Sequence, residues 1–345
     1  MKRLNIILLA LIAALLVMSR GRAVSMTDKS LVHAAAIDST PDGVMLTLQI
    51  FAPEAAGADT PIDISKANFK TLTASGSDIS QCLSKLSALA GKELFLGHLQ
   101  LIVISRDMSF SDPCRLLSPF IDDKSICPRV LIAAADDAQQ IVSFPIKENA
   151  VTAENYKSLS DVAASRGLIP AAHLDDIGRL ADKGAAALPY CRITENGRDK
   201  RLEFSGGAVM TMAGFENELL SDEQCRLLSL ISGGGDMPAQ PPEFDIKGKI
   251  FGLKNIRREY SFTQKGGRLA VSITVRADSC VTDTATQQEL SARLTELLRR
   301  ELEKGHDLTG IYRQARFWCP FFYAKTSSLK DIADIDAKVR LYKEK

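Results

Sequence analysis

GKELFLGHLQLIVIS, residues 91–105, decides how this chain is read. Leu94–Leu96 and Leu99–Ile104 are apolar and branched enough for a strand in the interior of a sheet, because a half-exposed strand would alternate apolar with polar side chains. Gly97-His98 interrupts the run, and a glycine inside a strand pattern signals a bulge or a close backbone approach. His98 is one of only four histidines. The bland expectation for it is a neutral imidazole that opens the strand and bonds to backbone; the sharper one is chemistry.

Outward from this stretch the pattern alternates between strand and helix. Before it, Leu31–Ile37 and Val44–Phe51 read as strands joined by the turn-formers Asp38–Gly43, and Leu46, Leu48 and Ile50 alternate with Thr47 and Gln49. After a loop through Pro61, Phe69–Thr73 reads as a further strand. Asp78 caps a helix whose apolar positions Ile79, Cys82, Leu83, Leu86 and Leu89 recur at three and four, ending at Gly91. Downstream come a short helix from Pro113, a strand over Arg129–Ala134, and helices over Asp137–Val142, Thr152–Arg166 and Ala171–Lys183. The polar run Asn196–Arg201 is read as a domain boundary.

The second half is α+β. Leu202–Met212 is strand-like, and Ser221 with Gln224 forms a capping box that turns Cys225, Leu228 and Ile231 inward. Gly233–Pro242 reads as a linker or long loop. Val271, Ile273 and Val275 alternate with Ser272, Thr274 and Arg276, which marks a half-buried strand. Thr286–Lys304 is the clearest helix, with Leu290, Leu294, Leu297 and Leu298 on one face and Gly305 after it. A helical segment from Asp307 and a strand with Ile335, Ala337, Val339 and Leu341 inward close the chain. The expected organisation is an N-terminal α/β domain over 26–198 and a C-terminal α+β domain over 199–345, an α+β protein of mixed sheets with packed helices.

Composition narrows the function classes. The 345 residues carry 43 Lys and Arg against 42 Asp and Glu, so no whole-molecule field exists to attract nucleic acid. Residues 1–25 read as a signal peptide or short membrane anchor: Lys2 and Arg3 precede the unbroken apolar run Ile6–Met18, which as a helix rises only about 20 Å, short of a bilayer core. Seven cysteines are spread along the chain without a C-x-x-C or metal-ligand spacing, and most read as small buried hydrophobes.

No chemical motif appears. There is no G-x-S-x-G, H-E-x-x-H, P-loop or G-x-G-x-x-G after a strand, and His33, His98, His173 and His306 share no motif. Gly206-Gly207 and the triple glycine lack the lysine and helix N-terminus of a phosphate cradle and read as turns or close approaches. Asp122-Asp123 and Asp175-Asp176 are sequence neighbours whose side chains diverge, so they read as solvated faces. The aromatic run Phe317–Tyr323, with the sole tryptophan, Trp318, reads as core packing, with a docking or membrane-interface patch as the competing expectation. Catalytic, cofactor-binding and metal-binding residues are therefore none.

The order of these segments resembles the Ger(x)C family, the C subunits of bacterial spore germinant receptors. The resemblance rests on Ala36-Ile37-Asp38, Leu46–Ile50 ending near Pro53, and Gly97-His98-Leu99-Gln100. In the second half it rests on Gly207-Ala208-Val209, Glu218–Ser221 with Glu223, the strand at Val271, and the leucine helix followed by Asp307. It implies a non-enzymatic, exported, membrane-associated subunit on the outer face of the spore inner membrane. Its implied partners are integral membrane A and B subunits in nutrient-triggered germination. Members are similar to lipoproteins with a cysteine directly after the apolar run; here Gly21-Arg22-Ala23 stands there, and the first cysteine is Cys82. A secreted solute-binding protein or hydrolase is the alternative expectation.

Overall fold

The computed structural model describes residues 29–52, 68–145, 152–178, 180, 184–197, 199–231, 242–265, 268–319 and 332–344. The apolar run Ile6–Met18, the loop through Pro61, most of the expected linker at 233–242 and the aromatics Phe321–Tyr323 lie outside them.

Among the described residues the first part of the chain builds one nine-stranded sheet. Its strands are β1 (Lys29–Thr40), β2 (Gly43–Phe51), β3 (Phe69–Gly76), β4 (Glu93–Phe95), β5 (Leu101–Ser105), β6 (Leu131–Ala135), β7 (Ala185–Asn196), β8 (Asp199–Thr211) and β9 (Phe215–Leu220). The order is β3-β2-β1-β5-β6-β7-β8-β9, with β4 beside the start of β1. The strands β1, β5, β6 and β7 run parallel at its centre, flanked by antiparallel hairpins. All five residues of β5 are buried, as the LIVIS run requires of a strand covered on both faces. Helices α1 (Ile79–Ala90), α2 (Pro113–Ile121) and α5 (Leu174–Ile177) bury Leu86, Phe120 and Ile177 against Ile37, Leu46, Ile102 and Ile132 on one face. Helices α3 (Ala138–Ser143) and α4 (Thr152–Ser165) cover Ala36, Leu101, Val103 and Ala133 on the other. Helix α1 has the ends expected of it: the Asp78 side chain accepts from Gln81 N, and Gly91 closes it at φ 64°.

A second core lies under a three-stranded sheet, β12 (Lys254–Lys265), β13 (Arg268–Ser279) and β14 (Ile332–Lys343), in that order. Helices α6 (Asp222–Ser229), α7 (Thr284–Lys304) and α8 (Ile311–Trp318) and the hairpin β10 (Glu243–Ile246)–β11 (Lys249–Gly252) complete it. The predicted alternation is realised: Val271, Ile273 and Val275 are buried, as are Ile335, Ala337, Val339 and Leu341. Helix α7 lies along the edge of β14 and occupies its hydrogen-bonding groups. Gln287 Oε1, Ser291 Oγ and Thr295 Oγ1, one helical turn apart, accept from Leu341 N, Val339 N and Ala337 N at 2.8–3.1 Å. Such a ladder closes an edge that would otherwise template pairing with another chain.

Three expectations change. Asn196 pairs with Asp199 across a two-residue turn in which Gly197 takes φ 67°, so the polar run is a hairpin tip inside one sheet rather than a boundary. The hairpin is also shared between cores: Cys191 and Phe204 belong to the first sheet, whereas Ala185 and Val209 pack into the second core. Ala171–Lys183 is not one helix. Ala172 O accepts from Ile132 N, and Leu174 N donates to Val130 O; this ties the backbone to the start of β6, so that among the described residues helix begins only at Leu174, in the short segment Leu174–Ile177. Phe317 and Trp318 are 78% and 64% exposed, so these two aromatics are surface rather than core, while Cys319 after them packs against the second core.

Candidate functional site

The C-terminal ends of parallel strands are where open α/β sheets gather functional groups. Here the ends of β1, β5 and β6 carry Asp38, Ser105, Arg106 and Asp136, and the middle of β7, where it pairs with β6, adds Tyr190. Asp38 is 8% exposed, and its Oδ1 accepts from Ala138 N at the start of α3. Oδ2 has no hydrogen-bond partner among the described residues. Burial pushes the Asp38 carboxyl up to about 6, against the backbone donor of Ala138 and with the nearby Asp137 and Asp107 adding to the rise. The far end of α3 is held too: Gln49 Nε2 donates to Val142 O at 2.8 Å, and Tyr156 Oη donates to Ile141 O and Phe144 O. Asp38 and Gln49 thus clamp both ends of one short helix from neighbouring strands.

Arg106 organises the other half of this edge. Its guanidinium donates to Asp136 Oδ1 at 3.0 Å and lies over the Tyr190 ring, and Tyr190 Oη donates to Asp136 Oδ2 at 2.7 Å. Burial and the Asp136 carboxylate push the Tyr190 hydroxyl up to about 12. The second guanidinium nitrogen reaches Glu216 O and Asn217 O of β9 at 3.3 and 2.7 Å.

From the other side β9 is gripped by the second core. His306, 6% exposed, sits between Glu301 Oε2 at 3.2 Å and Glu216 Oε1 at 3.6 Å. Burial works to raise the Glu301 carboxyl, but His306 together with Lys304 and Arg300 outweighs it and holds the group below its ordinary value. A continuous polar chain, Tyr190–Asp136–Arg106–β9–His306–Glu301, therefore ties the first sheet to α7. Its acids are each engaged by a neighbour, although Arg106 Nε is buried without an acceptor among the described residues and the His306–Glu216 step is an approach rather than a hydrogen bond; the arrangement couples elements.

The residues singled out from sequence fall elsewhere. His98 is exposed in a 3₁₀ turn, Leu96–His98, with its ring edge-on to Phe95 and His33; it opens no strand. Gly97 has the close approach expected of it, since a Cβ there would meet the Phe95 ring at 2.6 Å. His33 is the buried partner, and burial, followed by the His98 charge, lowers it to about 4. Asp123 folds into a turn by accepting from Ser125 N and Oγ. Gly206 takes φ 75° with its Cβ position 2.5 Å from Leu220 O, a close approach as expected. Cys82, Cys191 and Cys225 are buried; Cys127 and Cys280 are exposed. The fold does join one set the sequence left separate: His173, Asp175 and Asp176 converge within 4.8 Å. They also form the N-terminal cap of α5, where Asp176 accepts from His173 N, which accounts for the cluster without an ion. The polar chain through Arg106 and His306 was not legible in sequence, because its members come from five separate elements or their ends.

Residues 22–193 match the family model described as spore germination protein N-terminal domain. The fold is similar to the solved structure titled "Crystal Structure of the GerBC protein", with a TM-score of 0.53 and 14% identity, covering 90% of this chain and 97% of that one. No curated protein sequence matches the chain. Among the described residues no helix is long and apolar enough to cross a membrane.

Proposed function

The chain belongs to the Ger(x)C family of spore germination proteins, and from that premise we propose that it is the C subunit of a nutrient-triggered germinant receptor. In this role it is a non-enzymatic, exported scaffold on the outer face of the spore inner membrane, assembled with integral membrane A and B subunits. The observation that carries the proposal is the family match over 22–193, which spans the Asp38 clamp and all but the β9 end of the Arg106 contacts. The polar chain across β9 supports it, because a subunit that passes a signal between neighbours needs its two cores mechanically joined. Lys2, Arg3 and the apolar run Ile6–Met18 would hold the chain at the membrane surface beside those partners.

The test is affinity purification of the tagged full-length chain from detergent-solubilised spore membranes. The expected result is co-purification of two integral membrane proteins and loss of nutrient-triggered germination on deletion. Recovery of the chain alone from the soluble fraction, with germination unaffected by deletion, would overturn the proposal.

A further inference from the structure

On the solvent face of the three-stranded sheet three arginines stand in one cross-strand row. Arg257 of β12 is in register with Arg276 of β13, and Arg276 with Arg340 of β14. Neighbouring strands lie about 4.8 Å apart, so the three side chains leave the sheet within about 10 Å of one another. Like charges directly opposite are destabilising in a sheet. The rows on either side avoid this: Lys254 is in register with Asp278, and Glu259 with Thr274 and Lys338.

The carboxylates beside the row are already engaged. Glu259 accepts from Arg276 at 2.9 Å, and Asp278 accepts from Asn255 Nδ2 at 2.8 Å. Arg257 and Arg340 have no carboxylate partner among the described residues, and Arg276 Nε is buried without a hydrogen-bond acceptor. Asn255, Arg257, Arg276, Ala277, Asp278 and Tyr342 line a shallow groove of about 430 Å³ here, with Tyr342 47% exposed at its side and Arg340 beyond its rim as the next member of the row.

We propose that this face binds a multivalent phosphate-type oxyanion, held by Arg257, Arg276 and Arg340 with the Asn255 amide and Tyr342 at its margin. A single carboxylate offers two oxygens and satisfies one guanidinium fork; a row of three calls for the additional oxygens of a phosphoryl or diphosphoryl group. The same chemistry is offered by a free phosphorylated ligand and by the headgroups of an anionic lipid surface. This inference goes beyond the receptor assignment and does not depend on it.

The test uses the full-length chain, with inorganic pyrophosphate as one probe and vesicles of phosphatidylcholine with or without phosphatidylglycerol as the other. A saturable rise in Tm with pyrophosphate, weakening with added salt, assigns a free ligand; binding only to the phosphatidylglycerol vesicles assigns a lipid headgroup. Either response is expected to weaken about tenfold for each of Arg257→Gln and Arg340→Gln, and to survive in Lys338→Gln. The unliganded double variant is expected to be at least as stable as the parent, since the charge opposition is relieved; this separates loss of a site from loss of fold. Failure of both probes to bind, or binding that survives in the double variant, would overturn the proposal.

Discussion

Strands β5 and β13 each lie in the interior of a sheet, yet one reads LIVIS and the other carries VSITVR. Every residue of β5 is buried because helices cover both faces. In β13 the buried residues alternate with half-exposed ones, because the second core, α7 included, lies under one face and water under the other. The period of burial, not the position in the sheet, writes the sequence. A strand with a wet face can carry charge there, and that is where the arginine row stands; β5 has no such freedom.

The comparison breaks most visibly by truncation. Ile104→Ala removes a side chain with no exposed surface and is expected to lower unfolding free energy by about 2–5 kcal/mol. Ser272→Ala on the open face of β13 should stay within about 0.5 kcal/mol. Urea melts of the two variants check this, and equal effects would contradict the difference in cover.

Next in size is a pair of opposed pH effects on β1. Asp38, raised to about 6, favours the folded state when protonated, so its contribution is lost as pH rises from about 4 to 6. His33, lowered to about 4, favours the folded state when neutral, so its contribution is lost as pH falls from about 6.5 to 4. The two slopes oppose one another, each worth roughly 1–2 kcal/mol across the window. Asp38→Asn should therefore expose a decline toward acid, and His33→Gln a decline toward neutral, in urea midpoints measured from pH 4 to 6.5. A variant with the parental profile would show that the group does not titrate in the folded protein as described.

The smallest effect sharpens the account of the second sheet. Thr295→Val deletes the hydroxyl that accepts from Ala337 N and donates to Ala337 O, and about 1 kcal/mol should be lost. Protection of the Ala337 amide against hydrogen exchange should fall with it, while that of the Ile102 amide in β5 stays unchanged.

Local elements were legible where a local signal sets them. The Asp78, Ser221 and Gly305 caps and the leucine face of α7 follow from neighbours within a turn or two, and the structure has them. The Asn-Gly at 196–197 is also a local signal, that of a tight hairpin, and its weight was missed beside so many charges. The helix expected from Ala171 starts three residues late for the opposite reason, since distant backbone at Val130 and Ile132 captures its first residues. His98 looked like a strand opener because the apolar run hides a 3₁₀ turn. Phe317 and Trp318 looked like core because aromatic residues usually are, and a sequence does not say which side of a helix faces water at its last turn.

By itself the sequence determined most of the strands and helices, their apolar faces, and the family to which their order belongs, because these depend on side-chain periods and on residues close along the chain. Only the tertiary structure decided that Arg106 and His306 grip β9 from two sides, that Asp38 and Gln49 hold the two ends of one helix, and that three arginines share a row. Each of those contacts joins residues from different elements, and their meeting depends on strand order and register, which no local pattern encodes.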